Sequence, residues 1–275
     1  MAVVALALAA LAGAAGLSAW RDLQDAELRA ALARGKAGEA LQSEDASRVM
    51  ASEILVQTAQ ALREAEIGDP GAVATAFGGI GATIGERVLG GRITSRDLEL
   101  AGTLYQEMAE TLLFIGETAA ASELADSALK VATRRQDEDA SAGALLAVAR
   151  ARSLAGRIAV AAGDAAAGIA DLEAARAILD TALAQLPDDP EARVTLARTL
   201  SPLATARSSA GDPAAALALL DQAASLWDAA MGAAEIPPSW RRDRAATLEA
   251  LSDLHARQGD AEAAFAAATR ATTAR

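Results

Sequence analysis

Hydrophobic and polar positions divide the chain into an uncharged beginning and a long repeating remainder. Residues 1–20 carry no charged side chain and are mostly apolar. Beyond about residue 44, small residues recur at fixed distances from a series of short turns that contain glycine. This pattern predicts one membrane-spanning helix followed by an all-α array of helix pairs.

The uncharged beginning has the length of a membrane anchor. Twenty helical residues rise about 30 Å, which matches the hydrocarbon core of a bilayer. Trp20 suits the headgroup level, and Gly13 and Gly16 leave a smooth face on which another membrane helix can pack. The residues predicted to form the anchor are Val3, Leu6, Leu8, Leu11, Gly13, Gly16, Leu17 and Trp20. Two alternatives stay open: a cleaved signal peptide, although no basic residue begins the segment, and a helix buried in a soluble protein.

Basic residues follow the predicted span, and none precedes it. They are Arg21, Arg29, Arg34 and Lys36. Because positively charged flanks tend to stay in the cytoplasm, the bulk of the chain is predicted to lie on the cytoplasmic side of the inner membrane, behind a single span.

Five glycine turns set the period of the repeating part. The glycines are Gly68, Gly116, Gly163, Gly211 and Gly259, at successive spacings of 48, 47, 48 and 48 residues. Glycine readily takes the left-handed conformation that ends a helix, and the acidic residue after each glycine can cap the next helix. The period predicts a helix pair around each turn, with linkers near Arg134–Asp139, Leu186–Pro190 and Ile236–Ser239. Pro202 falls inside a predicted helix and is expected to kink it or to shift its start.

Small residues on both sides of these turns resemble the tetratricopeptide repeat (TPR). The last two units show the same order, with Leu203-Ala204, Gly211-Asp212, Ala216, Leu220 and Ala223 in one and Leu251-Ser252, Gly259-Asp260, Ala264 and Ala271 in the other. The period is 47–48 residues where a TPR has about 34, so each helix would be longer by about two turns. His255, Arg207 and Ala159 depart from the pattern, because tyrosine is usual at their position.

The resemblance implies a TPR-like α-α solenoid of about four to five helix pairs. The long repeat of this chain is also similar to the long-helix repeats in C-terminal regions of bacterial membrane-anchored signalling proteins. The predicted organisation is a transmembrane helix over 1–20 and a juxtamembrane helix and linker over 21–43. An atypical, glycine-rich first pair follows over 44–95, and the TPR-like repeats occupy 96–275.

Composition supports helices and narrows the chemistry. Hydrophobic residues make up 52% of the chain and aromatic residues only 3%, because most of the apolar fraction is alanine, the best helix former. The net charge of −12 repels phosphate backbones, so nucleic acid is not an expected partner. The chain has no cysteine, and its single histidine, His255, has no clustered ligand residues beside it. No metal, cofactor, small-molecule substrate or catalytic residue is predicted.

The glycine-rich stretch of residues 78–85 has three interpretations. A phosphate-binding loop would need a Lys-Ser or Lys-Thr pair after it and a strand before it, and the sequence has neither. Gly81 and Gly85 are about one helical turn apart, which favours close packing against another helix or a partner. The run from Pro70 to Gly85 is uncharged, so contact with the membrane surface is the alternative. That contact would involve Phe77, Gly78, Gly81 and Gly85.

The resemblance to TPR proteins also implies that first-helix residues line a concave groove. The glycine register places four arginines there, namely Arg150, Arg157, Arg198 and Arg257. Guanidinium groups in such a groove could bind an acidic peptide or a C-terminal carboxylate. The favoured interpretation, however, is that these arginines are solvated or form ion pairs within the chain.

Together these features predict a membrane-anchored scaffold and not an enzyme. The expected role is that of a non-catalytic accessory subunit that docks onto a larger membrane complex, whether respiratory, photosynthetic, secretory or signalling, and stabilises it. Its partners would be protein subunits of that complex and, through residues 1–20, the membrane. The alternatives are the anchor and sensor region of a bacterial signalling receptor, and an exported periplasmic TPR protein.

Overall fold

The structure, a computed structural model, describes residues 70–90, 94–232 and 236–274. In these ranges the regular secondary structure is all α-helix, which confirms the predicted fold class there. The predicted membrane anchor, the juxtamembrane segment, the helix expected near 44–66 and the Gly68 turn lie outside the described residues. None of the described helices combines the length and the apolar character needed to cross a membrane.

After the first described helix, the helices follow one another as four pairs, each joined by a glycine turn. The described helices are α1 (Pro70–Gly90), α2 (Ser95–Ile115), α3 (Thr118–Glu138), α4 (Ala142–Ala161), α5 (Ala165–Gln185), α6 (Pro190–Ser209), α7 (Pro213–Ala230), α8 (Pro238–Gln258) and α9 (Ala261–Ala274). The chain separates into two compact units. Of the described residues, those up to Asp139 form the first unit, which holds α1 to α3, and those from Ala140 onward form the second, which holds α4 to α9.

Each described turn reverses the chain at a glycine with positive φ. The φ angles of Gly116, Gly163, Gly211 and Gly259 lie between 83° and 91°, a region in which a side chain would be strained. The aspartate that follows three of these glycines accepts a hydrogen bond of 3.0 Å at Oδ1 from the amide three residues further on. Only two or three residues separate the helices of a pair, so each turn holds them antiparallel and close.

The predicted linkers differ in outcome. Helix α3 continues to Glu138, so most of the linker predicted at Arg134–Asp139 is helical. Its last turn is held in place because Arg134 Nη1 donates a 3.0 Å hydrogen bond to the carbonyl oxygen of Val88 on α1. Residues 186–189 do separate α5 from α6, as the sequence pattern predicts.

Helix α6 runs through Pro202 without interruption. It begins at Pro190 and ends at Ser209, so Pro202 does not shift its start. Leu200 and Leu203 on either side of the proline are buried in the core of the second unit. Their burial offsets the backbone hydrogen bond that proline cannot make.

In the first unit, α1 packs against α2 and α3 along one apolar stripe. The buried residues of this stripe are Phe77, Ile80, Ile84 and Val88. Gly81 lies at the contact, because a Cβ placed there would come within 2.8 Å of Leu124 Cδ2. A Cβ at Gly85 would lie 3.4 Å from Tyr105 Oη. The absence of side chains at these two positions brings α1 close to its neighbours.

The membrane contact predicted for this stretch is wrong for Phe77. Its side chain is fully buried, since α2 and α3 cover the apolar stripe of α1. Gly81 and Gly85 take part in helix packing, which was the other interpretation of the glycine-rich sequence. Gly78 is exposed, and no atom lies within 4 Å of the position that its Cβ would occupy.

The phenol of Tyr105 reports on this packing. It is the only tyrosine of the chain, it is buried, and its Oη donates a 2.7 Å hydrogen bond to the carbonyl oxygen of Gly81. Burial raises the pKa of Tyr105 to about 12 from its ordinary value of 10.0, because the low-dielectric surroundings disfavour the phenolate.

We therefore expect the phenolate absorbance of the folded chain to appear with a midpoint near pH 12, and near pH 10 in urea. Since the unfolded state loses the proton first, the first unit should lose stability as the pH rises from 10 to 12. Circular dichroism recorded on the same samples shows whether the helices persist. A midpoint near 10 in the folded chain would contradict the burial, and Tyr105→Phe should remove the signal.

In the second unit, small residues set the distance between paired helices. They lie seven residues before each turn glycine and five after it, as Gly156 and Gly168, Ala204 and Ala216, and Ser252 and Ala264. Ser252 Oγ donates a 2.8 Å hydrogen bond to the carbonyl oxygen of Ala264, so these two positions face each other. A Cβ added at Gly156 would lie 2.9 Å from the carbonyl oxygen of Gly168. The α4–α5 pair therefore has no room for a side chain at either glycine.

Candidate protein-binding face

In the second unit, the first helices of the three pairs are α4, α6 and α8, and α6 contacts both of the others. The same kinds of polar contact occur between α4 and α6 and between α6 and α8. Arg150 on α4 and Arg198 on α6 occupy equivalent positions, 13 residues before their turn glycines. Arg150 Nη2 donates to Glu191 Oε1, and Arg198 Nη2 donates to Asp243 Oδ2, each at 2.7 Å. Each arginine of one first helix thus bonds to a carboxylate of the next, and both stay about 40% exposed.

Hydroxyl pairs lie beside these ion pairs and repeat with them. The hydroxyl oxygens of Ser153 and Thr199 are 3.1 Å apart, and those of Ser201 and Thr247 are 3.0 Å apart. Both threonines are also within hydrogen-bonding distance of a carbonyl oxygen one turn back on their own helix. Because these hydroxyls are satisfied inside the protein, they help to fix the spacing of α4, α6 and α8.

Trp227 on α7 packs beneath the side chains of Arg198 and Thr247. It is fully buried, and its Nε1 donates a 3.1 Å hydrogen bond to Thr247 Oγ1. The guanidinium carbon of Arg198 lies 6.0 Å from the centre of the Trp227 ring. Arg198 is therefore held on one side by Asp243 and on the other by an aromatic face, which limits its freedom before any partner binds.

The structure brings together two of the four arginines predicted to line a groove. Arg150 and Arg198 occupy the same repeat position on neighbouring helices. Arg157 is half-buried two turns further along α4, and Arg257 is exposed in the last turn of α8. At the position of Arg150 and Arg198, α8 carries Ala246, which is exposed. Arg257 is therefore not a third member of the row.

The charge of the face changes from α4 to α8. Ten residues before the turn glycines, the face carries Ser153, then Ser201, then Glu249, and six residues before them it carries Arg157, then Thr205, then Asp253. Thr205, Glu249 and Asp253 are exposed. At these positions the face carries one arginine on α4 and two carboxylates on α8, and the exposed Arg242 and Arg257 lie further along α8, on either side of the carboxylates.

Glu191, Asp243, the two hydroxyl pairs and Trp227 were not predicted from the sequence. The signal that could have found the hydroxyl pairs is the recurrence, 48 residues apart, of both the serines and the threonines. No comparable pattern marks the carboxylates, because Glu191 and Asp243 occupy different positions within their repeats.

Comparison with known proteins addresses the fold. No protein-family model and no curated protein matches this chain. The crystal structure of BtubC (BKLC) from P. vanneervenii superposes with a TM-score of 0.60 at 18% identity, covering 94% of this chain and 88% of that one. The nearly identical TPR-like repeats of a Podosopora anserina protein described as a kinesin light chain superpose with a TM-score of 0.53 at 18% identity, covering 85% and 97%. The fold is TPR-like. At this level of identity the likeness concerns the fold alone.

Proposed function

We propose that this protein is a non-catalytic TPR-like scaffold that binds protein subunits of a larger membrane complex. Residues 1–20 would anchor it to the inner membrane, with the repeats on the cytoplasmic side. The observation that carries the proposal is the row of half-exposed arginines on a TPR-like fold, each held in place by the next first helix. Two tethered contacts, one in the membrane and one on the repeats, would strengthen each other through effective concentration.

The chemistry of the face favours a partner segment with an acidic part. Arg150 and Arg198 each form an ion pair whose partners are 38–45% exposed, and such pairs contribute only about 0–1 kcal/mol. A carboxylate of a partner can therefore replace Glu191 or Asp243, or join them, at little energetic cost. Arg157 on α4 and the carboxylates of Glu249 and Asp253 on α8 would favour one direction of the bound segment, with its acidic part towards α4.

The binding face is tested by purifying the tagged full-length chain in mild detergent and identifying the proteins that accompany it. We expect a stoichiometric membrane subunit with the wild-type chain and loss of that subunit with the double variant Arg150→Gln/Arg198→Gln. Arg176→Gln is the matched control, because Arg176 lies on the second helix α5 and is 39% exposed, as is Arg198. Equal recovery of the subunit with the double variant would place the binding site elsewhere.

The anchor is tested by membrane fractionation of the full chain and of a variant that begins at residue 21. We expect the full chain to resist an alkaline carbonate wash and the shortened chain to leave the membrane. N-terminal sequencing of the membrane-bound form distinguishes the anchor from an exported protein, because cleavage near Ala15 to Ala19 would favour export. Protease added to spheroplasts should leave the repeats intact if they are cytoplasmic.

A further inference from the structure

The last described helix, α9, exposes a face that is unusually apolar for this acidic chain. Phe265 is 75% exposed, more than Phe114 or Leu186, the other large apolar residues that are exposed in the described part of the chain. Around it lie further exposed, uncharged residues, namely Ala261, Ala266, Ala268, Thr269, Thr272 and Thr273. The only charged residues of α9 are Glu262 and Arg270.

The position of Phe265 in the repeat is one that the two preceding helix pairs cover. It lies six residues after its turn glycine, and Ile169 and Leu217 lie at the same distance from theirs. Both of these residues are partly buried and pack against the core of the second unit, in which α5 contacts α6 and α7 contacts α8. The face of α9 therefore continues a series of helix–helix interfaces, and it carries the largest side chain of that series.

The threonines of this face do not need water or a polar ligand. The hydroxyls of Thr269 and Thr272 each donate a 2.9 Å hydrogen bond to the carbonyl oxygen four residues earlier, and Thr273 donates to the carbonyl oxygen three residues earlier. Their methyl groups are left to form surface together with the alanines and Phe265. Burying this face would leave no threonine hydroxyl unsatisfied, which fits a protein helix as the occupant.

The two charges of α9 identify the occupant. Glu262 and Arg270 lie four residues before and four residues after Ala266. If two α9 helices pack antiparallel about a twofold axis near Ala266, Glu262 of each copy comes opposite Arg270 of the other. A parallel pair would instead place like charges opposite each other. Arg270 now bonds to Asp228 at 2.8 Å, but Asp228 also accepts a 2.8 Å hydrogen bond from Arg244, so it keeps a partner when Arg270 turns to a second copy.

We propose that two copies of this chain associate through α9, antiparallel, with Phe265 of each copy packed on the alanines and threonines of the other. This goes beyond the proposed scaffold function, because it concerns a different surface from the row of arginines. The small side chains of α9 let the two helix axes approach closely, and Phe265 supplies most of the apolar surface that is removed from water.

The first test is the concentration dependence of the mass of the full-length chain in mild detergent, by sedimentation or light scattering. We expect a monomer–dimer equilibrium that Phe265→Ala weakens at least tenfold. The control is Phe114→Ala, since Phe114 is 65% exposed and belongs to the first unit. Both variants should melt at the wild-type temperature, because neither side chain is in the core. A monomer at every concentration, or a dimer that tolerates Phe265→Ala, would overturn the proposal.

The second test addresses the orientation of the two helices. Glu262→Arg and Arg270→Glu should each weaken the dimer, and the two changes combined should restore it. Because the chain has no cysteine, Ala266→Cys and Thr272→Cys each place one thiol per copy. A short thiol crosslinker should join the Ala266→Cys copies, whereas the Thr272 positions would be about 18 Å apart along an antiparallel pair. Equal crosslinking at both positions would overturn the antiparallel arrangement.

The outcomes also separate this proposal from the scaffold function. A dimer that persists in the Arg150→Gln/Arg198→Gln variant shows that the two surfaces act independently. If a different protein occupies α9, Phe265→Ala should release that protein from a complex that contains one copy of this chain. That result would overturn self-association and leave the row of arginines to be judged on its own test.

Discussion

Replacing Gly156 with valine is expected to lower the free energy of unfolding of the second unit by about 3 kcal/mol or more. A Cβ at this position would lie 2.7 Å from Leu172 Cγ, 2.9 Å from the carbonyl oxygen of Gly168 and 3.1 Å from the amide nitrogen of Leu172. Two of these three atoms belong to the backbone of α5, so no change of side-chain rotamer relieves the clash. Helices α4 and α5 would have to separate, and the core between them would lose its close packing.

The effect is measured as the thermal midpoint by circular dichroism, with an expected decrease of about 6–12 °C. Gly79→Ala is the matched control, because Gly79 is an exposed helical glycine with no atom within 4 Å of its Cβ position. Alanine there should leave the midpoint unchanged or raise it slightly, since alanine stabilises a helix by about 1 kcal/mol relative to glycine. A Gly156→Val chain that melts with the wild type would show that α4 and α5 are further apart than described.

The sequence predicted the paired helices well because each turn carries its own local signal. Glycine at Gly163 or Gly211 is needed for the positive φ, and the aspartate that follows caps the next helix, so these positions determine the structure without tertiary contacts. The prediction failed where tertiary packing overrides local preference. Pro202 does not shift the start of α6, in which the leucines beside it are buried, and α3 passes through the predicted linker because its end is tied to α1.

The candidate face could be predicted only in part. The repeat period transfers a position from one repeat to the next, which is why Arg150 and Arg198 were found as equivalent residues. The partners of a contact between repeats are not one period apart, since Arg150 bonds to Thr195 and Ser153 to Thr199, 45 and 46 residues away. The difference from 48 depends on how successive first helices cross, and a repeat length contains no information about that. Phe77 was predicted to contact the membrane and is buried instead. An uncharged glycine-rich helix can face either a membrane or a protein core, and the sequence alone does not distinguish the two.

Trp227→Ala is expected to destabilise the second unit by about 3–5 kcal/mol, the usual range for a buried aromatic residue reduced to alanine. Trp227 is the largest fully buried side chain among the described residues, and it packs in the core cluster with residues of α5, α6 and α8. Its removal leaves a cavity, deprives Thr247 of one hydrogen bond and takes the aromatic face away from Arg198. Stability and the binding face should therefore be affected together.

Trp227→Phe separates these contributions. Phenylalanine keeps an aromatic face for Arg198 and fills most of the volume, but it has no N–H for Thr247, so we expect a loss nearer 1–2 kcal/mol. Urea unfolding followed by circular dichroism measures both variants, and hydrogen exchange of α6, α7 and α8 locates the loss. If Trp227→Ala and Trp227→Phe unfold at the same urea concentration, the hydrogen bond dominates over the cavity. If neither variant differs from the wild type in stability, Trp227 is not in the core. In that case Trp227 does not position Arg198 for a partner.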